Sequence, residues 1–263
     1  MKKTIIFGLI FIGNLLLAFD NKMPYFARAS GLGEALAALK DDAVGIFYNP
    51  AGLNITTVSF SLTDWYFDTR AGAFAGSYNY KDWLTAGAGL VYFSYGQLRY
   101  FNEDGIAGNY FSAGFWQAKF SLSKQIHKFI SIGTAYKFNY QKIDTVGKSK
   151  SNFDVGILSA CNIVNLGFYM RDIKNNPGYI GGVTIKAINN LLITADLSYQ
   201  NELSYMAGIE YFLNPIYLRF GYNSDKNRIA TGIGFRQKNY IFDYTISNHQ
   251  NLGITHQFTI SIK

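Results

Sequence analysis

The sequence predicts an all-β chain: a transmembrane antiparallel up-and-down β-barrel of about fourteen strands behind a short N-terminal helical hatch. Three observations carry this expectation. Short segments alternate apolar and polar residues with hardly a break from residue 112 to residue 263, ionisable side chains fall almost always on the polar parity, and aromatic residues crowd the other (20 Tyr and 22 Phe in 263 residues). Successive strand side chains point to opposite faces, so each segment is a ribbon with one apolar and one polar side. In Arg228–Gln237, Ile229, Thr231, Ile233 and Phe235 share one parity, while Arg228, Ala230, Gly232, Gly234 and Arg236 share the other. A soluble sandwich has the same period but does not tolerate so many outward aromatics, whereas a barrel with lipid outside and polar groups inside requires them.

Bulk composition agrees. Hydrophobic residues make up 49% of the chain and charged residues 16%. After the N-terminus no apolar run approaches the roughly 18 residues of a helical span. Twenty-six glycines against four prolines suit tight turns and crowded interiors rather than interrupted ladders. The net charge of +7 is spread over single basic residues with no cluster or nucleic-acid motif, so nucleic acid is not an expected partner. Cys161 is the only cysteine and forms no internal disulfide.

Taken in order, residues 1–18 read as a signal peptide: Lys2 and Lys3 form the basic start, residues 4–17 the apolar stretch, and Ala18 the small residue for cleavage. A single anchoring helix is the alternative. Residues 19–57 behave as a hatch or plug. Within them, Ser30 to Leu39 is rich in helix formers, with Leu32, Ala35, Leu36 and Leu39 on one face and Ser30 as the expected cap. Asp41 and Asp42 end that pattern, and the stretch from Phe47 to Leu53 turns the chain sharply. The helix is too short to span lipid, so it lies in the barrel mouth, in the lumen or on the interface.

Residues 58–263 form the barrel. Alternation and turn signals place strands at 58–67, 70–80, 84–97, 110–123, 129–142, 150–161, 163–173, 179–188, 191–200, 203–213, 216–223, 227–237, 240–248 and 251–262. Short connections such as Asn189-Asn190 and Lys238-Asn239 alternate with longer ones at 98–109 and 144–149, as at the two ends of a membrane barrel.

Parity yields an interior belt of charge. Lys119, Lys137, Asp154, Arg171, Lys186, Asp196, Glu210, Arg219, Arg236 and Asp243 lie on the polar parity, one to each of ten consecutive strands. A charge on the lipid face at mid-membrane costs roughly 2–4 kcal/mol, so ten such placements are prohibitive and the belt faces inward. Signs alternate between neighbours: Lys137–Asp154–Arg171, Lys186–Asp196, Glu210–Arg219 and Arg236–Asp243. Two readings stand. Either the belt is a structural network in a filled lumen, or it lines a polar passage or docks the Glu34 to Asp42 part of the hatch.

Constellations for chemistry are thin. His127, His249 and His256 lack metal-ligand spacing, and Gly31-Leu32-Gly33 has neither the lysine nor the preceding strand of a phosphate loop. No catalytic residue, metal or cofactor is expected, and the chain does not read as an enzyme.

One set of residues carries a family likeness. The run from Phe26 to Ala35, Asp41-Asp42-Ala43, and Phe47-Tyr48-Asn49-Pro50-Ala51-Gly52-Leu53 resemble the N-terminal signature of the PorV/PorQ outer-membrane family, itself similar to FadL-type transporters of hydrophobic compounds. The stretch 151–157, with Asp154 before Gly156, and the closing residues 243–244 and 251–256 are similar to that family's mid-barrel strand and last hairpin. The resemblance implies a monomeric barrel in the outer membrane of a Gram-negative-type bacterium, with outer-membrane lipid as its surroundings. It implies a hatch motif at Asn49, Pro50 and Ala51 with Gly31 and Gly33. For the FadL-type relatives it implies a passive conduit for hydrophobic small molecules such as long-chain fatty acids, with an apolar pocket at Phe26, Leu36, Phe47 and Tyr48; those side chains serve equally as the hatch's own packing face. For the PorV-type relatives it implies a type IX secretion barrel whose partners are secretion-system proteins and exported cargo.

Overall fold

The computed structural model describes residues 24–40, 42–66, 69–81, 83–101, 104–250 and 253–263. The expected signal at 1–18 lies outside the described residues. Strands β1 (Thr57–Asp64), β2 (Arg70–Tyr80), β3 (Leu84–Phe101), β4 (Ala107–His127), β5 (Ile130–Ile143), β6 (Val146–Cys161) and β7 (Val164–Arg171) form the first half of the wall. Strands β8 (Gly178–Ile188), β9 (Leu191–Tyr199), β10 (Leu203–Leu213), β11 (Ile216–Asn223), β12 (Arg228–Gln237), β13 (Tyr240–His249) and β14 (Gly253–Ile262) form the second. Each pairs antiparallel with its successor in sequence, and β14 closes the cylinder on β1, Val58 lying opposite Ile262 and Leu62 opposite Phe258.

The two-residue period decides which side is which. Arg219 is 5% exposed and its chain neighbour Phe220 is 50% exposed. The same contrast recurs around the wall: Ser59, Thr63, Gln117, Thr194 and Thr245 are buried, while Phe60, Leu62, Trp116, Leu197 and Tyr244 form a continuous apolar exterior. A closed sheet has no unpaired edge, so the only polar backbone left to satisfy is at the rims.

Two expected long loops are strand instead. Phe101 pairs with Ala107, so 98–109 is mostly ladder, bent by a bulge between Ser94 and Gln97 where Gly96 takes φ 68°. Ile143 pairs with Val146 around a tight turn at Asp144, φ 53°, which Asp tolerates better than most residues. Strands β3 to β6 are therefore 18, 21, 14 and 16 residues long and project beyond the rest of the wall at the end opposite the C-terminus. Polar residues in 144–149 resemble a loop in composition, but cross-strand pairing absorbs them.

The hatch departs most from expectation. Its helix, α1, is Ala27–Gly31, with Phe26 as an extended N-cap and no capping side chain; Ser30 lies inside the helix. The chain leaves it through left-handed Gly33 (φ 63°) and Glu34 (φ 67°), and residues 35–40 are irregular. Packing explains this. The Leu32 and Gly33 backbone lies directly against Gly208 and Gly221 of the wall, a separation that a helix with side chains all round does not allow. Backbone groups that a helix would have paired internally bond the wall instead: Thr194 donates to the Ala35 carbonyl (2.8 Å), and the Ala37 amide donates to Asp196 (2.7 Å). Helix propensity is a weak prior and is overridden here.

Candidate functional site: a hatch held in the lumen

Inside the cylinder, hatch residues make the core. Phe26, Leu32, Leu36, Val44, Ile46, Tyr48 and Leu53 are buried in one cluster that reaches Val91 and Ala75 of the wall, with Phe47 packed against it. Aromatic contacts tie its ends together: Phe47 lies 4.9 Å from Tyr25 and 5.8 Å from Phe26, ring centre to ring centre.

Asn49-Pro50-Ala51 is a knot rather than a free signature. The Asn49 side chain accepts from the Ala51 amide (3.0 Å) and donates to the carbonyls of Ala37 (2.7 Å) and Ile157 (3.2 Å), joining two parts of the hatch to β6. Pro50 opens a 3-10 turn, Pro50–Gly52, where a missing N–H costs nothing. The Ala51 carbonyl accepts from Ser131 at 2.7 Å. Gly156 admits the Asn49 amide and Gly167 admits the Ala37 carbonyl; a Cβ at either would overlap those atoms. Of the other hatch glycines, Gly31 sits against Arg219 and Thr245, and Gly33 turns the chain beneath Ala207 and Tyr222.

Charge holds the hatch at three points. Arg28 donates twice to Glu210 (2.9 Å each) and once to Asp42 (2.6 Å). Glu210 in turn accepts from Arg219 (2.6 Å), which donates to Asp243 (2.6 Å). Burial opposes the Arg28 charge, but Glu210 and Asp42 hold its pKa well above the ordinary arginine value. Towards the other end, Glu34 accepts from Lys226 (2.5 Å), from Asn223 (3.2 Å) and from Arg228. Burial pushes the Lys226 ammonium down to about 8 against the pull of Glu34. Asp196 is the third point, through the Ala37 amide.

A separate cluster belongs to the wall alone. Lys119 pairs with Asp154 (2.5 Å), while Lys137 reaches Asp172 (2.6 Å) and, more distantly, Asp154 (3.9 Å). Asp154 also accepts from the Asp172 amide (2.9 Å).

Seven of the ten belt residues (Lys119, Lys137, Asp154, Asp196, Glu210, Arg219 and Asp243) are buried within the cylinder. Arg171 is half-buried and donates to Gln200 (2.7 Å) rather than pairing with Asp154. Lys186 and Arg236 are exposed at the rim, and among the described residues neither makes its expected pair. Register is the reason: Lys186 lies opposite Leu192 while Asp196 lies opposite Gly182, and Arg236 lies opposite Ile241 while Asp243 lies opposite Gly234. Only Glu210–Arg219 and the longer Lys137–Asp154 contact keep the anticipated partners. Arg28, Asp42, Asp172, Lys226 and Arg228 were not among the expected site residues. Arg28 carried a signal, because a lone cation in a small and apolar run that becomes a core must find an acid.

Neither of two cavities brings Phe26, Leu36, Phe47 and Tyr48 together. Phe26 borders a cavity of about 380 Å³ on the side of the C-terminus and short turns, with Leu39, Val44 and Leu192 among its apolar walls and Lys40 and Lys186 among its polar ones. Phe47 and Tyr48 border a cavity of about 70 Å³ on the opposite side, with Tyr169 and Ile180. Leu36 packs in the core and borders neither. Among the described residues, no group of three or more His, Cys, Asp or Glu is placed to hold a metal ion.

No family model matches the chain, and no curated protein does. Solved structures do match. A variant of the TodX monoaromatic hydrocarbon channel shares 12% identity over 90% of this chain and 97% of its own, with a TM-score of 0.68. The CymD monoaromatic hydrocarbon channel shares 10% identity over 92% and 97% (TM-score 0.66). A Pseudomonas aeruginosa FadL homologue shares 10% over 91% and 98% (TM-score 0.60). At these identities the likeness is one of fold. It extends over nearly the full length of each chain, and none of these matches is to a PorV/PorQ protein.

Proposed function

We propose that the protein is an outer-membrane barrel that passes hydrophobic small molecules passively, in the manner of the channels it resembles in fold. The observation that carries the reading is the hatch: an apolar cluster fixed inside a cylinder whose outer face is also apolar, with a cavity on each side of it. A soluble protein does not expose a continuous apolar belt of this extent, and lipid is the environment that satisfies it. The fold likeness to two hydrocarbon channels and a FadL homologue supports the same reading.

Within it, the wall supplies polar groups that hold the hatch, and the hatch supplies the apolar surface that a hydrophobic compound meets. The 380 Å³ cavity exceeds the roughly 150 Å³ that holds benzene; Phe26, Leu39 and Val44 form its apolar side, while Arg28, Asp42, Arg219 and Asp243 make the rest of its lining charged. With Arg28, Glu34 and Asn49 engaged the lumen is filled, and passage requires the hatch to yield. No observation favours the type IX secretion reading over this one.

The test is uptake of labelled toluene and of a labelled long-chain fatty acid into liposomes bearing the full chain. Uptake above that of empty liposomes is expected for at least one compound, and it rises when Arg28→Leu loosens the hatch. Background uptake by both proteins overturns the conduit.

A further inference from the structure

The two rims of the barrel differ in charge. The rim bearing the C-terminus and the short turns carries Lys81, Lys124, Lys128, Lys186, Arg236 and Lys238, and its described residues include no Asp or Glu; Asp82, in the first turn, lies outside them. The opposite rim mixes signs, with Asp64, Asp104, Asp144, Glu202 and Asp225 among Arg70, Arg99, Lys142, Lys148, Lys150 and Lys174.

At the β2 to β5 corner of the basic rim the cations are seated on aromatic rings. The Lys124 ammonium lies 4.4 Å from the centre of the Trp83 ring, Lys81 lies 5.2 Å from Tyr80, and Lys128 lies 5.4 Å from Phe129. Those rings are themselves exposed, and they stand where the outward row of Phe120 and Leu122 ends. Amphipathic rings at the edge of an apolar belt mark the level of lipid headgroups, and ammonium groups held there meet the headgroup anions.

We propose that Lys81, Lys124 and Lys128, on the platform of Tyr80, Trp83 and Phe129, bind the phosphate of an anionic phospholipid in the leaflet that this rim meets. Charge complementarity and continuity with the apolar belt select a lipid: the acyl chains lie along Phe120 and Leu122 while the phosphodiester sits among the three ammonium groups. This site rests on the membrane-spanning reading given above.

The test uses the full chain in mixed micelles of phosphatidylglycerol and phosphatidylcholine, with retained lipid measured by native mass spectrometry. Wild type is expected to retain phosphatidylglycerol several-fold over phosphatidylcholine. The triple variant Lys81→Gln/Lys124→Gln/Lys128→Gln should lose that preference, Lys124→Gln should lose part of it, and Lys142→Gln/Lys148→Gln/Lys150→Gln near the other end should keep it. Equal retention by the two triple variants, or no preference in wild type, overturns the site. Displacement of the lipid by millimolar glycerol phosphate would also overturn it, by showing a site for free phosphate. Flotation with liposomes separates the two levels of the argument: a chain that floats without lipid preference refutes the headgroup site alone, and one that does not float refutes the membrane reading as well.

Discussion

Three buried charge clusters occupy one lumen, and they are balanced in two different ways. Lys119, Lys137, Asp154 and Asp172 all come from the wall, two of each sign, and need nothing else. The clusters around Arg28 and Glu34 are balanced only with the hatch in place. Without it, Glu210 and Asp243 face Arg219 with a negative excess, and Lys226 and Arg228 are left with a positive excess over the neighbouring Asp225. The hatch carries the complement of both, Arg28 for the acidic site and Glu34 for the basic one. Shape seats it through Gly156 and Gly167, and charge sets which way round it sits.

That contrast can be broken at either kind of cluster. The largest effect is expected from Glu34→Leu, which strands Lys226 and the fully buried Arg228 together. Removing one partner of a buried pair costs about 3–5 kcal/mol, and the loss should appear as a lower denaturant midpoint for the folded barrel in micelles. Next come Arg28→Leu and Asp154→Leu as a matched pair. Each breaks buried ion pairs and should destabilise by roughly 2–5 kcal/mol, but limited proteolysis should cut within residues 24–40 or 42–53 only in the Arg28 variant. Equal protection of the hatch in both would remove the distinction between the clusters. The smallest effects are expected at the exposed rim and on the outer face: Lys186→Gln and Phe220→Leu should each shift unfolding by no more than about 0.5 kcal/mol, as read from the same denaturant curves.

The wall was legible because its signal is the strand period itself. Every segment from Ser112 onward keeps one parity apolar, so burial of Arg219 beside exposed Phe220 follows from counting by two. Partnership was less legible, because a pairing needs register, and register depends on turns such as Asn214-Pro215 and on the bulge between Lys186 and Ile188. Hence Glu210–Arg219, directly opposite on adjacent strands, could be anticipated, while Lys119–Asp154, which spans β5, could not. The hatch was least legible. Residues 30–39 hold good helix formers, but their conformation is decided by Gly208, Gly221, Thr194 and Asp196, more than 150 positions away. The acidic and basic residues of that segment were visible as charges, and their partners lay in a wall not yet built.

Hydrogen–deuterium exchange on the full chain in lipid bilayers tests the central claim most directly, by comparing amides of residues 27–53 with those of β5 to β13. A hatch bound as described should exchange as slowly as the wall, with the Ala37 amide among the slow ones, and Arg28→Leu should quicken the hatch while leaving the wall unchanged. Hatch amides that exchange in wild type at the rate of an unprotected chain would contradict the account.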